Sequence, residues 1–259
     1  MNFNSYIVSE TKTAFSVPVS ISVLPPKKTL KQKAFTLAEV LITLSIIGVV
    51  AAMTVPTLMA NVNKQIYVTG LKKAYNQLQN AVKNLPMEMG CSPGDYSCLY
   101  AWDSYDTSGF EALAAQFRLS KDVSQCDYKR ISTLGDYMYH YNKGKCFQTT
   151  DGMIFMGPGA FDIEYASIGV DINGEKGPNR WGRDRFSLYF TVKDRGWSYG
   201  TEVPAGTVFA NGSKISQNYF GFGYWKDYCT DANMKKDKSN NWYGQYCAGR
   251  ILETGKMDY

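Results

Sequence analysis

The sequence predicts an α+β protein in which one long N-terminal helix packs on a small antiparallel β-sheet head that contains disulfides. Three observations predict this fold class. An apolar run continues into an amphipathic helical pattern, short β-prone runs follow it, and all six cysteines lie beyond residue 90. The chain has 259 residues, which is long enough for one sizeable domain and an appendage.

The apolar run covers residues 35–60, and the 21 residues from Val40 to Ala60 include no charged side chain. At a rise of about 1.5 Å per residue, such a helix is just long enough to cross the hydrocarbon core of a membrane. Four lysines precede the run, at Lys27, Lys28, Lys31 and Lys33. The positive-inside tendency therefore predicts a cytoplasmic N-terminus and a head across the inner membrane.

The net charge of +5 belongs to the N-terminal segment. Residues 1–34 contain five lysines and one acid, Glu10, whereas the rest of the chain contains 23 basic and 22 acidic residues. Since the body is nearly neutral, its charge gives no reason to expect a nucleic-acid partner.

Glu39 is the one charged residue inside the apolar run. A carboxylate at this depth costs a few kcal/mol, so it indicates a functional role with a cationic partner. Three alternatives compete: a secretory signal cut after Ala52, a plain anchor that carries Glu39 incidentally, and a buried helix of a soluble protein. The glutamate and the length of the run argue against a secretory signal, and the neighbouring lysines argue against a soluble core helix.

Residues 61–88 are expected to continue the same helix in amphipathic form, because apolar residues recur at mostly three- and four-residue steps. The apolar positions are Val62, Ile66, Leu71, Tyr75, Leu78, Val82 and Leu85. The whole helix is predicted from about residue 36 to 85, ending before Pro86 and Gly90. Its apolar stripe is the surface on which the head should pack.

The head is predicted to comprise residues 89–259. A short helix is expected over 108–120, with Ser108 as N-cap. From Lys145 onward, β-prone runs alternate with turns: CFQTT, MIFM, ASIGVDI and RFSLYFTV. Thr150-Asp151-Gly152 is the predicted hairpin turn between the first two runs.

The cysteines favour disulfides in an oxidising compartment, because their number is even and they all follow the apolar run. They are Cys91, Cys98, Cys126, Cys146, Cys229 and Cys247. We predict nearest-neighbour pairing (91–98, 126–146 and 229–247), one of fifteen arrangements. The chain has one histidine, His140, and no Ser-His-Asp, Cys-His, Walker or zinc pattern. We therefore expect a protein that is not an enzyme.

Residues 170–186 form the densest cluster of Asp, Asn and Gly in the chain. Side chains of Asp171, Asn173 and Asp184, with nearby carbonyl groups, form a candidate calcium site. The loop is not an EF-hand, because Gly182 stands where the bidentate glutamate belongs. The alternative is an Asx-turn loop closed by arginines. Those arginines are Arg180, Arg183 and Arg185.

Aromatic residues crowd two parts of the head. Tyr137, Tyr139 and Tyr141 alternate in one stretch, and a second group consists of Phe220, Phe222, Tyr224, Trp225, Tyr228, Trp242, Tyr243 and Tyr246. Exposed aromatics would bind sugars or a partner protein. We favour the alternative that they fill the core of a β-rich domain.

Residues 33–56, KAFTLAEVLITLSIIGVVAAMTVP, resemble the processing and assembly region of type IV prepilins and type II secretion pseudopilins. The resemblance rests on the basic cluster, a small residue at the cut, the Phe-Thr-Leu run, Glu39 and the apolar helix. It implies that a prepilin peptidase cleaves between Ala34 and Phe35, which makes Glu39 the fifth mature residue. Ala34 stands where the family usually has glycine, and a leader of 34 residues is long for a pseudopilin.

The resemblance further implies a structural subunit of a type IV pilus-like or type II secretion pseudopilus filament. In such filaments Glu39 pairs with the methylated amine of Phe35 on the next subunit. Small residues permit close approach of the helices, namely Ser45, Gly48, Ala51 and Ala52. Pro56, the twenty-second mature residue, lets the helix bend.

The implied partners are the prepilin peptidase, the inner-membrane platform protein, sibling pilins or pseudopilins and the membrane itself. The implied location is the bacterial inner membrane as a single-pass protein, with a periplasmic or extracellular head, and then the filament. The rival hypothesis is a membrane-tethered extracytoplasmic module that binds a glycan or a protein through its aromatic-rich head.

Overall fold

The structure is a computed structural model that describes residues 35–96, 108–125, 145–162, 165–192, 195–197, 201–220, 223–236 and 242–259. The chain divides into two compact units, Met1–Val50 and Ala51–Tyr259. The first unit contains the beginning of the long helix, and the second contains its remainder and the whole head. The predicted α+β class is confirmed by this helix and a six-stranded antiparallel sheet.

Helix α1 spans Leu37–Glu88 and is long and apolar enough to cross a membrane. Its later turns bury a continuous stripe, which consists of Val68, Leu71, Ala74, Leu78, Ala81, Val82, Leu85 and Pro86. The predicted stripe is confirmed from Leu71 onward. It is wrong at Val62 and Ile66, whose side chains are 44% and 55% exposed.

The prediction that α1 ends before Pro86 is also wrong, because the helix continues to Glu88. Gly90 ends it by adopting a left-handed conformation, with φ of 76°. The N–H of Cys91 donates to the carbonyl of Pro86 at 2.8 Å, and the N–H of Gly90 donates to Met87 at 3.1 Å. These two bonds form a Schellman motif, which satisfies carbonyl groups that a helix end leaves open.

The head contains eight described strands: β1 Leu119–Gln125, β2 Lys145–Thr149, β3 Ile154–Asp162, β4 Tyr165–Asp171, β5 Arg185–Thr191, β6 Arg195–Trp197, β7 Thr201–Val203 and β8 Val208–Ala210. The main sheet has the order β1-β2-β3-β4-β5-β8, and β6 and β7 form a separate ribbon. The predicted runs correspond to strands β2 to β5. All pairings in both sheets are antiparallel.

Helix α2 spans Ser108–Ala115 and is shorter than the predicted 108–120. Ser108 is helical rather than an N-cap, and the residue before it lies outside the described residues. Leu119 begins strand β1 and pairs with Thr149. The N–H of Thr150 also donates to the carbonyl of Arg118 at 2.8 Å. Pairing with the sheet therefore ends the helical pattern earlier than local sequence indicates.

One face of the sheet packs on α1. Phe186, Leu188 and Phe190 of β5 belong to the same core as Leu71 and Leu78 of α1. Since alternate strand residues point to opposite faces, Arg185, Ser187 and Tyr189 lie on the other face. All seven residues of β5 are buried, so both faces of this strand are covered.

The C-terminal part folds into short helices that the sequence pattern does not reveal: α3 Lys214–Phe220, α4 Trp225–Tyr228, α5 Asp231–Lys236, a 3₁₀ turn Trp242–Tyr246 and α6 Cys247–Thr254. A disulfide between Cys229 and Cys247, both fully buried, joins this part and confirms that predicted pairing. Cys91 and Cys146 are also disulfide-bonded. Their predicted partners, Cys98 and Cys126, lie outside the described residues, so those pairings stay predictions.

The predicted hairpin turn is confirmed between β2 and β3. Gly152 has φ of 90°, and the N–H of Thr149 donates to the carbonyl of Met153 at 2.9 Å. Asp151 ties this turn to α1, because its Oδ2 lies 2.6 Å from Nζ of Lys73. Burial opposes ionisation of Asp151, but hydrogen bonds from Lys73 and Thr149 outweigh it and lower its pKa.

Replacing Lys73 with alanine is expected to lower the free energy of unfolding by about 0.5 kcal/mol, since half-exposed ion pairs contribute little. The pKa of Asp151 is lower in the folded state than its ordinary 3.8. The contribution is therefore present above pH 3.8 and is lost as the pH falls through the folded-state pKa. Thermal melts across acid pH test this, with Lys72→Ala as the control. A difference that persists in strong acid contradicts the assignment.

Candidate functional site

The residues at the start of α1 are those that the sequence assigns to processing and assembly. Phe35 is 85% exposed, and Glu39 lies in the first turn of the helix. Thr36 directly precedes the helix at the N-cap position. Ala34, on the other side of the predicted cleavage bond, lies outside the described residues.

Thr36 and Glu39 form a capping box. Oε2 of Glu39 accepts hydrogen bonds from the N–H of Thr36 at 2.8 Å and from its hydroxyl at 2.9 Å. In return, the N–H of Glu39 donates to the hydroxyl oxygen of Thr36 at 3.2 Å. This exchange satisfies donors that a helix start otherwise leaves open. Both bonds to the carboxylate use Oε2, and a carboxylate offers about four acceptor positions. Glu39 therefore still has room to accept a cation.

The role of Thr36 is not among the predictions from the sequence. Its signal is the spacing Thr-x-x-Glu immediately before an apolar run, which is the pattern of a capping box. The pattern assigns Glu39 a local partner within its own chain. The carboxylate of Glu39 is therefore already oriented within the single chain.

The anchor part of α1 exposes large apolar side chains on all sides. In the first unit these are Leu37, Val40, Leu41, Ile42, Leu44, Ile46, Ile47, Val49 and Val50. In the second unit they continue with Met53, Val55, Leu58, Met59, Val62 and Ile66. A helix that is apolar all round requires lipid or other helices around it.

Two hydroxyl groups within the anchor are satisfied by the helix itself. The hydroxyl of Thr43 donates to the carbonyl of Val40 at 2.9 Å, and that of Ser45 donates to Leu41 at 2.8 Å. A Cβ placed on Gly48 meets no described atom within 4 Å, so this position offers room for a neighbouring helix. Pro56 lies inside α1. The bend predicted there stays a prediction.

Residues 29–55 match the family model described as the prokaryotic N-terminal methylation motif. The chain carries a prepilin-type segment. The match includes Phe35, Thr36 and Glu39 and ends one residue before Pro56. Comparisons with curated proteins and with solved structures found no match. The prepilin-type segment and the apolar helix suit a single-pass membrane anchor. The family model does not extend into the head.

Beyond the prepilin-type segment, the proposed calcium ligands are engaged with protein donors. Oδ2 of Asp171 accepts a hydrogen bond from Nε of Arg185 at 2.8 Å, and this ion pair is almost completely buried. Oδ1 of Asp171 faces the N–H of Asn173 at 3.4 Å. The side-chain amide of Asn173 donates to the carbonyl of Gly177 at 3.2 Å. The loop is therefore closed by contacts within the protein.

Asp184 is engaged in the same way. Its two carboxylate oxygens accept the N–H groups of Asn179 and Arg180, both at 2.6 Å. Calcium takes six to eight oxygen ligands, and in this structure each of the two carboxylates already accepts two hydrogen bonds from protein N–H groups. Among the described residues, no group of three His, Cys, Asp or Glu side chains is placed to hold a metal ion. The predicted calcium set of Asp171, Asn173 and Asp184 therefore stays a prediction, with both carboxylates engaged by protein donors in this structure.

The alternative interpretation, a loop closed by three arginines, is only partly correct. Arg185 closes it through its side chain, because it lies directly opposite Asp171 in the pairing of β4 with β5. Arg180 contributes through its backbone N–H to Asp184 and through its carbonyl, which accepts the N–H of Arg183 at 3.1 Å. The loop is thus built around a buried ion pair.

The described aromatic residues mostly contact other parts of the head. Tyr189 and Phe209 stack with their ring centres 5.4 Å apart, and both are buried. The hydroxyl of Tyr224 and Nε1 of Trp225 both donate to Glu253, each at 2.8 Å. Tyr137, Tyr139, Tyr141 and Phe222 lie outside the described residues, as do the side chains of Phe220 and Trp242. The described contacts favour a packing role over an open sugar-binding platform.

Proposed function

We propose that this chain is the precursor of a structural subunit of a type IV pilus-like or type II secretion pseudopilus filament. The observation that carries the proposal is a prepilin-type segment at the start of a helix that is apolar on all sides. A plain anchor needs the apolar helix but not the methylation motif. The subunit is proposed to be structural and not an enzyme, and to have no nucleic-acid partner.

In the proposed mechanism, a prepilin peptidase cleaves the bond between Ala34 and Phe35 on the cytoplasmic side. The new amine of Phe35 is methylated and keeps its positive charge. The subunit waits in the inner membrane with its head on the periplasmic side. It then joins the filament when its apolar helix exchanges lipid for the helices of sibling subunits. The platform protein and an assembly ATPase, which acts indirectly, are the expected machinery.

Glu39 sets the position of each incoming subunit in this proposal. Transfer from the membrane into a helix bundle buries its carboxylate, and an unpaired buried carboxylate is strongly unfavourable. The methylated amine of Phe35 on the adjacent subunit offsets that cost. Because the two charges must meet, the pair fixes the axial register between neighbours.

No described feature of the head favours a secretion pseudopilus over a pilus. A calcium-bearing loop would favour a secretion pseudopilin, but the loop of residues 170–186 uses its carboxylates internally. The rival function, a tethered binding module, would require accessible aromatic surfaces. Tyr224 and Trp225 are partly exposed, and their polar atoms donate to Glu253.

Mass analysis of the N-terminus tests the proposal. The chain isolated from membranes is expected to begin at Phe35 and to carry one methyl group on its amine. The control is the same chain expressed without the peptidase, which should retain the leader. A chain that keeps its leader in the presence of the peptidase contradicts the proposal. A chain that begins at Met53 supports a secretory signal instead.

A further inference from the structure

A groove of about 780 Å³ lies between α1 and the C-terminal tail, entirely within the unit Ala51–Tyr259. Its lining comes from one side of α1 and from the tail: Asn61, Val62, Lys64, Gln65, Ile66, Val68, Thr69, Gly70, Lys73 and residues 256–258. Val62 and Ile66, the two positions that leave the buried stripe, line this groove and are about half exposed. The groove therefore offers apolar surface that the head does not cover.

Positive charge lies along the edge of this groove. Nζ of Lys64 donates to a main-chain oxygen of Tyr259, the last residue of the sequence, at 3.4 Å, which holds the ammonium group beside the tail. An ammonium group has three N–H donors, so this bond leaves two for a ligand. Lys256 is exposed on the opposite side. The one carboxylate in the lining, Asp258, pairs with Nη2 of Arg250 at 2.7 Å.

The groove begins where the apolar run ends. Lys64 follows Ala60 by four residues, which is about 6 Å along a helix axis. The polar headgroup layer on each side of a bilayer is roughly 5–7 Å thick. With Ala60 at the edge of the hydrocarbon core, Lys64 therefore lies at the level of the phosphate groups. Exposed Leu58 and Met59 extend the apolar surface of the groove towards the core.

We propose that this groove binds the headgroup of an anionic phospholipid while the subunit resides in the membrane. Lys64 and Lys256 contact the phosphate, and an acyl chain packs along Val62 and Ile66. This inference rests on the proposed function, because it requires α1 to be inserted with the head outside the hydrocarbon core.

A second copy of the chain is a poorer occupant on grounds of charge. A parallel neighbouring helix offers Lys64 no carboxylate at this level, because Glu88 is the only acidic residue between Ala51 and Glu88. A lipid phosphate supplies both the negative charge and an attached apolar chain. Juxtamembrane lysines are attracted to anionic lipid by about 1 kcal/mol each.

The test uses the full chain in detergent micelles, titrated with phosphatidylglycerol or with zwitterionic phosphatidylcholine. Native mass spectrometry counts the lipids that remain bound. The wild-type chain is expected to bind one phosphatidylglycerol in clear preference to phosphatidylcholine. Lys64→Gln combined with Lys256→Gln should weaken that binding roughly 10- to 30-fold. The matched control, Lys72→Gln with Lys83→Gln, removes the same charge outside the groove and should bind as the wild type does.

Equal binding of the two lipids, or equal weakening in both double variants, overturns the inference. So does a Lys64/Lys256 variant that loses self-association but keeps its lipid, since this identifies a second copy as the occupant. These outcomes leave the proposed function intact if the chain enters vesicles and is processed at Phe35. A chain that does not enter vesicles contradicts the proposed function itself.

Discussion

Replacing Glu39 with alanine is expected to leave the protein in the membrane and to reduce its incorporation into filaments by at least a hundredfold. The apolar helix that holds the chain in lipid is unchanged by the substitution. The neighbour's Phe35 amine, however, is then buried without its counter-ion, and breaking a buried pair costs about 3–5 kcal/mol. Immunoblots of sheared filaments and of the membrane fraction measure the two populations separately.

Two further variants separate the charge of Glu39 from its role in capping the helix. Glu39→Gln keeps an oxygen acceptor for Thr36 but removes the charge, so it should fail to assemble. Thr36→Val keeps the charge and removes the cap, which costs about 1 kcal/mol, so it should still assemble. Normal assembly of Glu39→Gln refutes the charge pair. Failure of Thr36→Val alone assigns the requirement to the helix start.

Replacing Arg185 with methionine is expected to destabilise the head by about 3–5 kcal/mol, because Asp171 is left buried without its partner. For a domain of this size, the loss corresponds to a fall in melting temperature of roughly 10 °C. Circular dichroism of the full chain in detergent, followed at a wavelength that reports on the head, measures the change.

The matched control for this variant removes both charges. Asp171→Leu combined with Arg185→Met leaves no unpaired ion and should recover much of the lost stability, as buried pairs replaced by apolar residues often do. Recovery shows that the single variant suffers from an isolated charge and not from lost packing. A single variant as stable as the wild type contradicts the assigned role of the pair.

The sequence predicts the elements whose periodicity is strong and whose ends have local signals. Helix α1 and strands β2 to β5 follow from apolar spacing, and the turn at Gly152 follows from its residue types. The end of α2 could not be predicted, because pairing of Leu119 with Thr149 overrides a continuous helical pattern. The C-terminal helices α3 to α5 were missed because they are too short to establish a period, whereas α6 was missed although it is as long as α2.

The candidate site likewise contains residues that the sequence identifies and contacts that only the fold determines. Phe35 and Glu39 could be identified from sequence, and Thr36 could have been found from its spacing to Glu39. The partnership of Asp171 with Arg185 depends on the register of β4 against β5, which the sequence does not state. From the sequence, Asp171 is a candidate metal ligand. In the fold, it forms an ion pair with Arg185.

The capping box also bears on whether filament growth is reversible. Glu39 is already bonded to Thr36 in the single chain. An amine that binds Glu39 therefore meets a carboxylate that is already oriented and hydrogen-bonded. When the amine leaves, the carboxylate keeps its hydrogen bonds to Thr36. A subunit that leaves the filament does not have to expose an empty acceptor in the membrane. If subunits assemble as proposed, this lowers the free-energy cost of withdrawing one into the membrane, at the same residue that would position it in the filament.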